Sequence, residues 1–121
     1  MHLDDIPEDK SNPLVGFIDR LPASVRGKLI SLYRESLSRE STLILAALGR
    51  DDLGAAGALA HKLWGGAANL QDTEVARIAK LIEVAALENR LSAAKEAGSA
   101  LGNQCLASAT ALQRYVVAKD Q

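Results

Sequence analysis

The chain has 121 residues, 48% of them hydrophobic and only 3% aromatic, and a net charge of −1. That length suits one domain with one core, here built from Leu, Ile, Val and Ala. Charges of both signs are interspersed and the uncharged stretches are polar and glycine-rich, which argues against nucleic acid as a partner and against a membrane span of ~20 apolar residues. The single Cys105 excludes an internal disulfide and fits a reducing cytoplasm. One cysteine and two histidines are too few for an expected zinc site. The opening MHLDDIPEDK is acidic and lacks the apolar run of a signal peptide, so a cytoplasmic location is expected.

Residues 1–11 read as a flexible N-terminal segment, leaving 12–121 as the helical domain. Asn12-Pro13 fits an N-cap followed by proline at the first helical position. Leu14, Val15, Phe17, Ile18 and Leu21 then make a short apolar helix, with Pro22 at its end or at the start of the next. A long helix is expected from about Ala23 to Leu48. Leu29, Tyr33, Leu37, Ile44 and Leu48 share its broad face, and Glu40 and Ser41 interrupt it. Gly49-Arg50-Asp51-Asp52 reads as a C-cap glycine, a turn and an acidic N-cap, a connection short enough to make antiparallel neighbours. The next helix runs from Leu53 to Leu70. Gln71-Asp72-Thr73 makes a turn in which Asp72 or Thr73 caps a helix striped by Val75, Ile78, Ile82 and Ala85, through about Leu87. Asn89-Arg90-Leu91-Ser92 is a further turn, with Ser92 as N-cap. The last helix, about Ala93 to Val117, carries Ala94, Ala97, Leu101, Cys105, Ala109, Leu112, Tyr115 and Val116 on one stripe. No strand-like alternation competes. The expectation is an all-α fold, an up-down-up-down four-helix bundle with a short additional N-terminal helix. One bundle consumes all the stripes, so a monomer is expected.

The segment LGAAGALAHKLWGGAANL, Leu53 to Leu70, stands apart. Leu53, Ala56, Ala60, Leu63, Ala67 and Leu70 form its buried stripe. His61 falls well round the helix from that stripe, where its imidazole reaches solvent. The surface neighbours of His61 are Gly57, Ala58, Trp64 and Gly65, with Gly54 and Ala68 one turn further out. All but Trp64 are tiny. A glycine inside a helix costs roughly 1 kcal/mol relative to alanine. Gly54, Gly57 and Gly65 therefore oppose the helix for no local gain, and a face cleared to admit another macromolecule explains them.

The chemistry open to His61 is narrow. No Ser, Thr or Cys lies within one turn of it to serve as a nucleophile. A convex, glycine-lined face offers no substrate pocket. An exposed neutral imidazole can, however, take a phosphoryl group on a ring nitrogen while a partner supplies magnesium and charge stabilisation. The run Ala60-His61-Lys62-Leu63-Trp64-Gly65-Gly66-Ala67-Ala68-Asn69-Leu70 carries a resemblance. With its approach, Leu43 to Leu48 and an acidic turn, the region from about Leu43 to Arg90 is similar to a histidine-containing phosphotransfer (HPt) domain of multistep two-component relays.

The resemblance implies a helical bundle with His61 as phospho-acceptor and Gly65 as the glycine that lets a receiver domain approach. Gly54, Gly57, Ala58, Gly65 and Ala68 form the implied docking surface. Trp64 stands where the family usually has a lysine that offsets phosphoryl charge. It has two readings, packing against the neighbouring helix or contact with a partner, and its indole N–H could donate a hydrogen bond. Lys62 is then the cation expected to supply charge from another angle. Glu83 falls at about the position of a family glutamine that faces the histidine. There it would orient the imidazole but repel an incoming phosphoryl group. The implied partners are response-regulator receiver domains, a hybrid sensor histidine kinase, or both. No cofactor or metal is expected on this chain, and Mg2+ is expected on the receiver. The function implied is relay of a phosphoryl group between receiver aspartates, without kinase or hydrolase activity of its own. The alternative is an HPt-fold interaction module that binds or sequesters a response regulator without efficient transfer. An enzyme with a pocket inside the bundle is a third and weaker reading, because the stripes hold few ionisable positions.

Overall fold

A computed structural model describes residues 12–120 and folds them into five helices. These are α1 (Pro13–Asp19), α2 (Ala23–Gly49), α3 (Leu53–Asn69), α4 (Thr73–Leu87) and α5 (Leu91–Lys119). None of the described residues is in a strand. The expected flexible segment, 1–11, lies outside the described residues, as does His2.

The three loops between α2 and α5 are built alike. Each has one residue in the left-handed region: Asp51 (φ 60°), Gln71 (φ 60°) and Asn89 (φ 56°). In each, the following N–H reaches back five residues: Asp52 N to Ala47 O (2.9 Å), Asp72 N to Ala67 O (2.9 Å) and Arg90 N to Ala85 O (2.8 Å). This is the Schellman closure, which satisfies carbonyls that the helix end would leave open. The expected C-cap glycine, Gly49, is instead the last residue of α2, and Asp51 adopts the left-handed turn. Short polar side chains tolerate that conformation. Ser92 is likewise not a cap: α5 begins at Leu91, behind Arg90. Asn12 does cap α1, accepting from the N–H groups of Leu14 and Val15.

Connections this short force each helix to lie antiparallel to the last. Round the bundle the order is α2, α3, α4, α5, with α5 closing against α2. The stripes read from the sequence meet in the middle. Ile44, Ile82, Leu101 and Leu112 have no exposed surface. α3 faces the core with Ala56, Ala60, Leu63 and Ala67, all buried, and the three alanines let its neighbours come close. α1 lies against α2 and α5, where the Tyr115 hydroxyl donates to Asp19 Oδ1 at 2.9 Å and accepts from Arg26 Nη1 at 3.3 Å.

Three polar side chains are buried among the described residues: Glu40, Asp72 and Ser108. Asp72 stands at the N-cap position of α4, but its carboxylate turns inward and accepts from Tyr33 Oη (2.7 Å) and Ser108 Oγ (3.0 Å). This ties α2, α4 and α5 together. Burial pushes the Asp72 carboxyl up, against the two hydroxyls that favour its ionised form, and burial beside Asp72 raises Tyr33. Glu40, expected to break the α2 stripe, instead continues it at 2% exposure. Cys105 is a buried free cysteine whose thiol burial pushes up to about 12, which leaves it protonated and inert at neutral pH.

Candidate functional site

α3 is fixed at its start by Asp52, whose Oδ1 accepts from the N–H of Ala55 at 3.0 Å. From that anchor the buried alanine stripe sets the rotation of the helix, and His61 comes out on the rim facing α4. Its side chain is 60% exposed. The Nδ1–H donates to Glu83 Oε2 of α4 at 2.6 Å. In the neutral imidazole that hydrogen bond fixes the tautomer, with the proton on Nδ1 and the lone pair on Nε2.

Glu83 is itself held. Its other oxygen, Oε1, accepts from Lys80 Nζ at 2.8 Å, one turn earlier on α4. The Lys80 hydrogen bond holds the Glu83 carboxyl below the usual glutamate range, against partial burial and with help from the His61 hydrogen bond. The same ammonium sits 4.5 Å from the centroid of the Trp64 ring, within cation–π range. The Trp64 and His61 rings lie 5.7 Å apart, tilted by 30°. Trp64 is half-buried and packs on the core edge, so it belongs to the junction of α3 and α4.

The structure therefore brings together three of the residues singled out in the sequence, His61, Trp64 and Glu83. It takes Lys62 elsewhere: its ammonium is 3.4 Å from Glu40 Oε1 of α2, on the other flank of α3. The expectation that Lys62 supplies charge at His61 is corrected accordingly. The pull is the buried carboxylate of Glu40, whose Oε2 has no hydrogen-bond partner among the described residues.

The small residues also divide. Gly54, Ala58 and Ala68 are exposed, and a Cβ added at Gly65 would meet nothing within 4 Å. With His61 they form a flat strip, exposed except at half-buried Gly65. Gly57 does not belong to it, which corrects its place on the docking surface. A Cβ there would lie 2.9 Å from the Cβ of Ala86, so this glycine lets α3 and α4 approach.

One residue of the site escaped the sequence reading: Lys80 was legible only as the i, i+3 partner of Glu83 on α4. Among the described residues no group of three or more His, Cys, Asp and Glu could hold a metal ion, and no helix is long and apolar enough to cross a membrane.

Comparison with protein families matches the Hpt domain to residues 28–115, which takes in most of α2, all of α3 and α4, and most of α5. Neither comparison with curated proteins nor comparison with solved structures gave a match.

Proposed function

The chain belongs to the Hpt domain family, whose members are phosphocarrier modules of phosphorelays, and on that premise we propose that it relays a phosphoryl group between receiver-domain aspartates on Nε2 of His61. The observation that supports this most is the 2.6 Å hydrogen bond from His61 Nδ1–H to Glu83. It leaves the lone pair on Nε2, the nitrogen away from the carboxylate, on a ring that is mostly exposed.

In this reading the partner is an aspartyl-phosphate receiver whose own magnesium ion neutralises the phosphoryl oxygens. Nε2 attacks phosphorus, the P–N bond forms, and the P–O bond to aspartate breaks. The electron pair leaves with the aspartate carboxylate. No proton has to move, because Nε2 carries none. The ring keeps its Nδ1–H and gains a positive charge, which faces Glu83. The reverse sequence delivers the group to a second receiver. The flat strip of Gly54, Ala58, Gly65 and Ala68 allows a receiver to bring its aspartate to the imidazole without side chains in between.

The test is transfer from a panel of magnesium-loaded, phosphorylated receiver domains to the wild type and to His61→Gln. Acid-labile label on the wild type and none on His61→Gln is the expected result. Binding of a receiver with no label from any of them would overturn the carrier reading in favour of an interaction module.

A further inference from the structure

We propose that Lys80 is the cation that binds the phosphoryl group on His61, delivered from α4 and held ready by Glu83 and the face of Trp64. The proposal rests on His61 as the phospho-acceptor and adds the residue that makes the site tolerate the charge. The problem is electrostatic. A phosphoryl group brings a charge of about −2, and the residue that orients His61 is already a carboxylate. α3 offers no cation on this flank: Trp64 occupies the position one turn beyond His61, and Lys62 is drawn to Glu40 on α2. Lys80 is the cation the structure places here. Its Nζ and the Nδ1 of His61 grip the two oxygens of a single carboxylate, at 2.8 and 2.6 Å.

The arrangement is pre-organised. An ammonium on a long flexible stem loses much entropy when it is fixed, but here the indole face and the Glu83 oxygen already restrain it. Lys80 has three N–H donors, and Glu83 takes one. The remaining donors can turn to phosphoryl oxygens while the cation stays over Trp64. Before phosphorylation Lys80 balances Glu83; afterwards it bridges the carboxylate and the phosphoryl oxygens, the two groups that repel. Phosphoryl transfer passes through a loose, metaphosphate-like transition state. Negative charge on the phosphoryl oxygens is greater in phosphohistidine than in that transition state. A cation on those oxygens thus stabilises phosphohistidine more than it stabilises loss to water.

The experiment uses potassium phosphoramidate, which phosphorylates histidine without a receiver, on the intact chain. Phosphorus NMR follows the lifetime of the phosphohistidine. Lys80→Met is expected to shorten that lifetime severalfold, up to about tenfold if the full worth of one charge-assisted hydrogen bond is lost in the transition state. Lys80→Arg is expected to restore most of it. The Lys80 side chain is half exposed, and circular dichroism checks that both variants keep the bundle. Glu83→Gln separates a direct from an indirect role, since the amide oxygen can still accept from Nδ1–H. If Lys80 acts on the phosphoryl group, Lys80→Met still shortens the lifetime in the Glu83→Gln background.

An unchanged lifetime in Lys80→Met, or an effect that vanishes in Glu83→Gln, overturns the assignment while the carrier function stands. A Lys80-dependent lifetime in a protein that takes label from no receiver upholds the assignment and overturns the carrier function. A wild type that phosphoramidate does not label at His61 overturns both.

Discussion

Gly65 and Gly57 lie about two turns apart on α3 and are expected to respond to substitution in opposite ways. At Gly65 a new Cβ meets open space, so Gly65→Gln gains helix propensity at no packing cost. That gain is about 0.7 kcal/mol, or about 3 °C in Tm for a domain of this size. The same side chain stands on the strip beside His61, where a receiver approaches closely in the proposed relay. Intrusion into a packed contact costs about 1–3 kcal/mol, so binding should weaken by about tenfold or more. At Gly57 the new methyl would lie 2.9 Å from Ala86 Cβ. Neither atom is the free end of a flexible side chain, so the helices themselves must part. The overpacking penalty, about 1–3 kcal/mol, exceeds the propensity gain of about 1 kcal/mol, and Tm should fall by about 4 °C. Ala86→Gly should relieve part of that loss in the double variant. Thermal unfolding by circular dichroism measures stability, and the fluorescence of the sole tryptophan, Trp64, reports receiver binding. Wild-type affinity in Gly65→Gln would refute the docking strip, and a Gly57→Ala variant more stable than wild type would refute the close approach.

Two further outcomes follow from the buried polar groups. Burial raises the Asp72 carboxyl, so the folded chain holds its proton more tightly than the unfolded chain does. Its contribution to stability is fully present below the unfolded aspartate value near 3.9 and is lost as pH rises through the folded value. In urea unfolding at a series of pH values from about 4 upward, the stability of wild type relative to Asp72→Asn should decline; a difference independent of pH would contradict this. Glu40 is 2% exposed and has one unpartnered oxygen, while its partners Lys62 and Arg39 have side chains 72% and 59% exposed and can return to water. Glu40→Met should therefore raise Tm by about 4 °C, for a gain of about 1 kcal/mol, and a lower Tm would mean the ion pairs outweigh the cost of burying the carboxylate.

The bundle was legible because its four long stripes keep a helical period, and because Asn12 and Asp52 are strong caps. The loops were legible in place but not in chemistry. Their left-handed residues are Asp51, Gln71 and Asn89, chosen by backbone closure rather than by glycine. Glu40 was read as an interruption because propensity and hydropathy carry no information about a partner on another helix. His61 and Glu83 were legible as a pair through the family resemblance, and Lys80 was not, because its place depends on where α4 crosses α3. The same limit applies to Gly57. The pattern put it with Gly54 and Gly65 on one cleared face, and only the neighbour of that face could separate them.

That separation follows from helical geometry once α4 is in place. At about 100° per residue, Gly57 and Trp64 lie about 40° and 60° to one side of His61. Gly54, Gly65 and Ala58 lie about 20°, 40° and 60° to the other. The first flank meets α4: Gly57 admits Ala86, and Trp64 meets Lys80. The second flank stays open until Lys62 turns to α2. His61 is thus at the boundary between a flank that supplies chemistry and a flank that supplies access. The close approach at Gly57 and Ala86 is one turn from both His61 and Glu83, next to the 2.6 Å hydrogen bond. The two flanks should then separate in experiment. Gly65→Gln should weaken receiver binding and leave the lifetime of chemically made phosphohistidine alone, because nothing on the α4 side moves. Gly57→Ala should shorten that lifetime, because parting the helices draws Glu83 and Lys80 away from the imidazole.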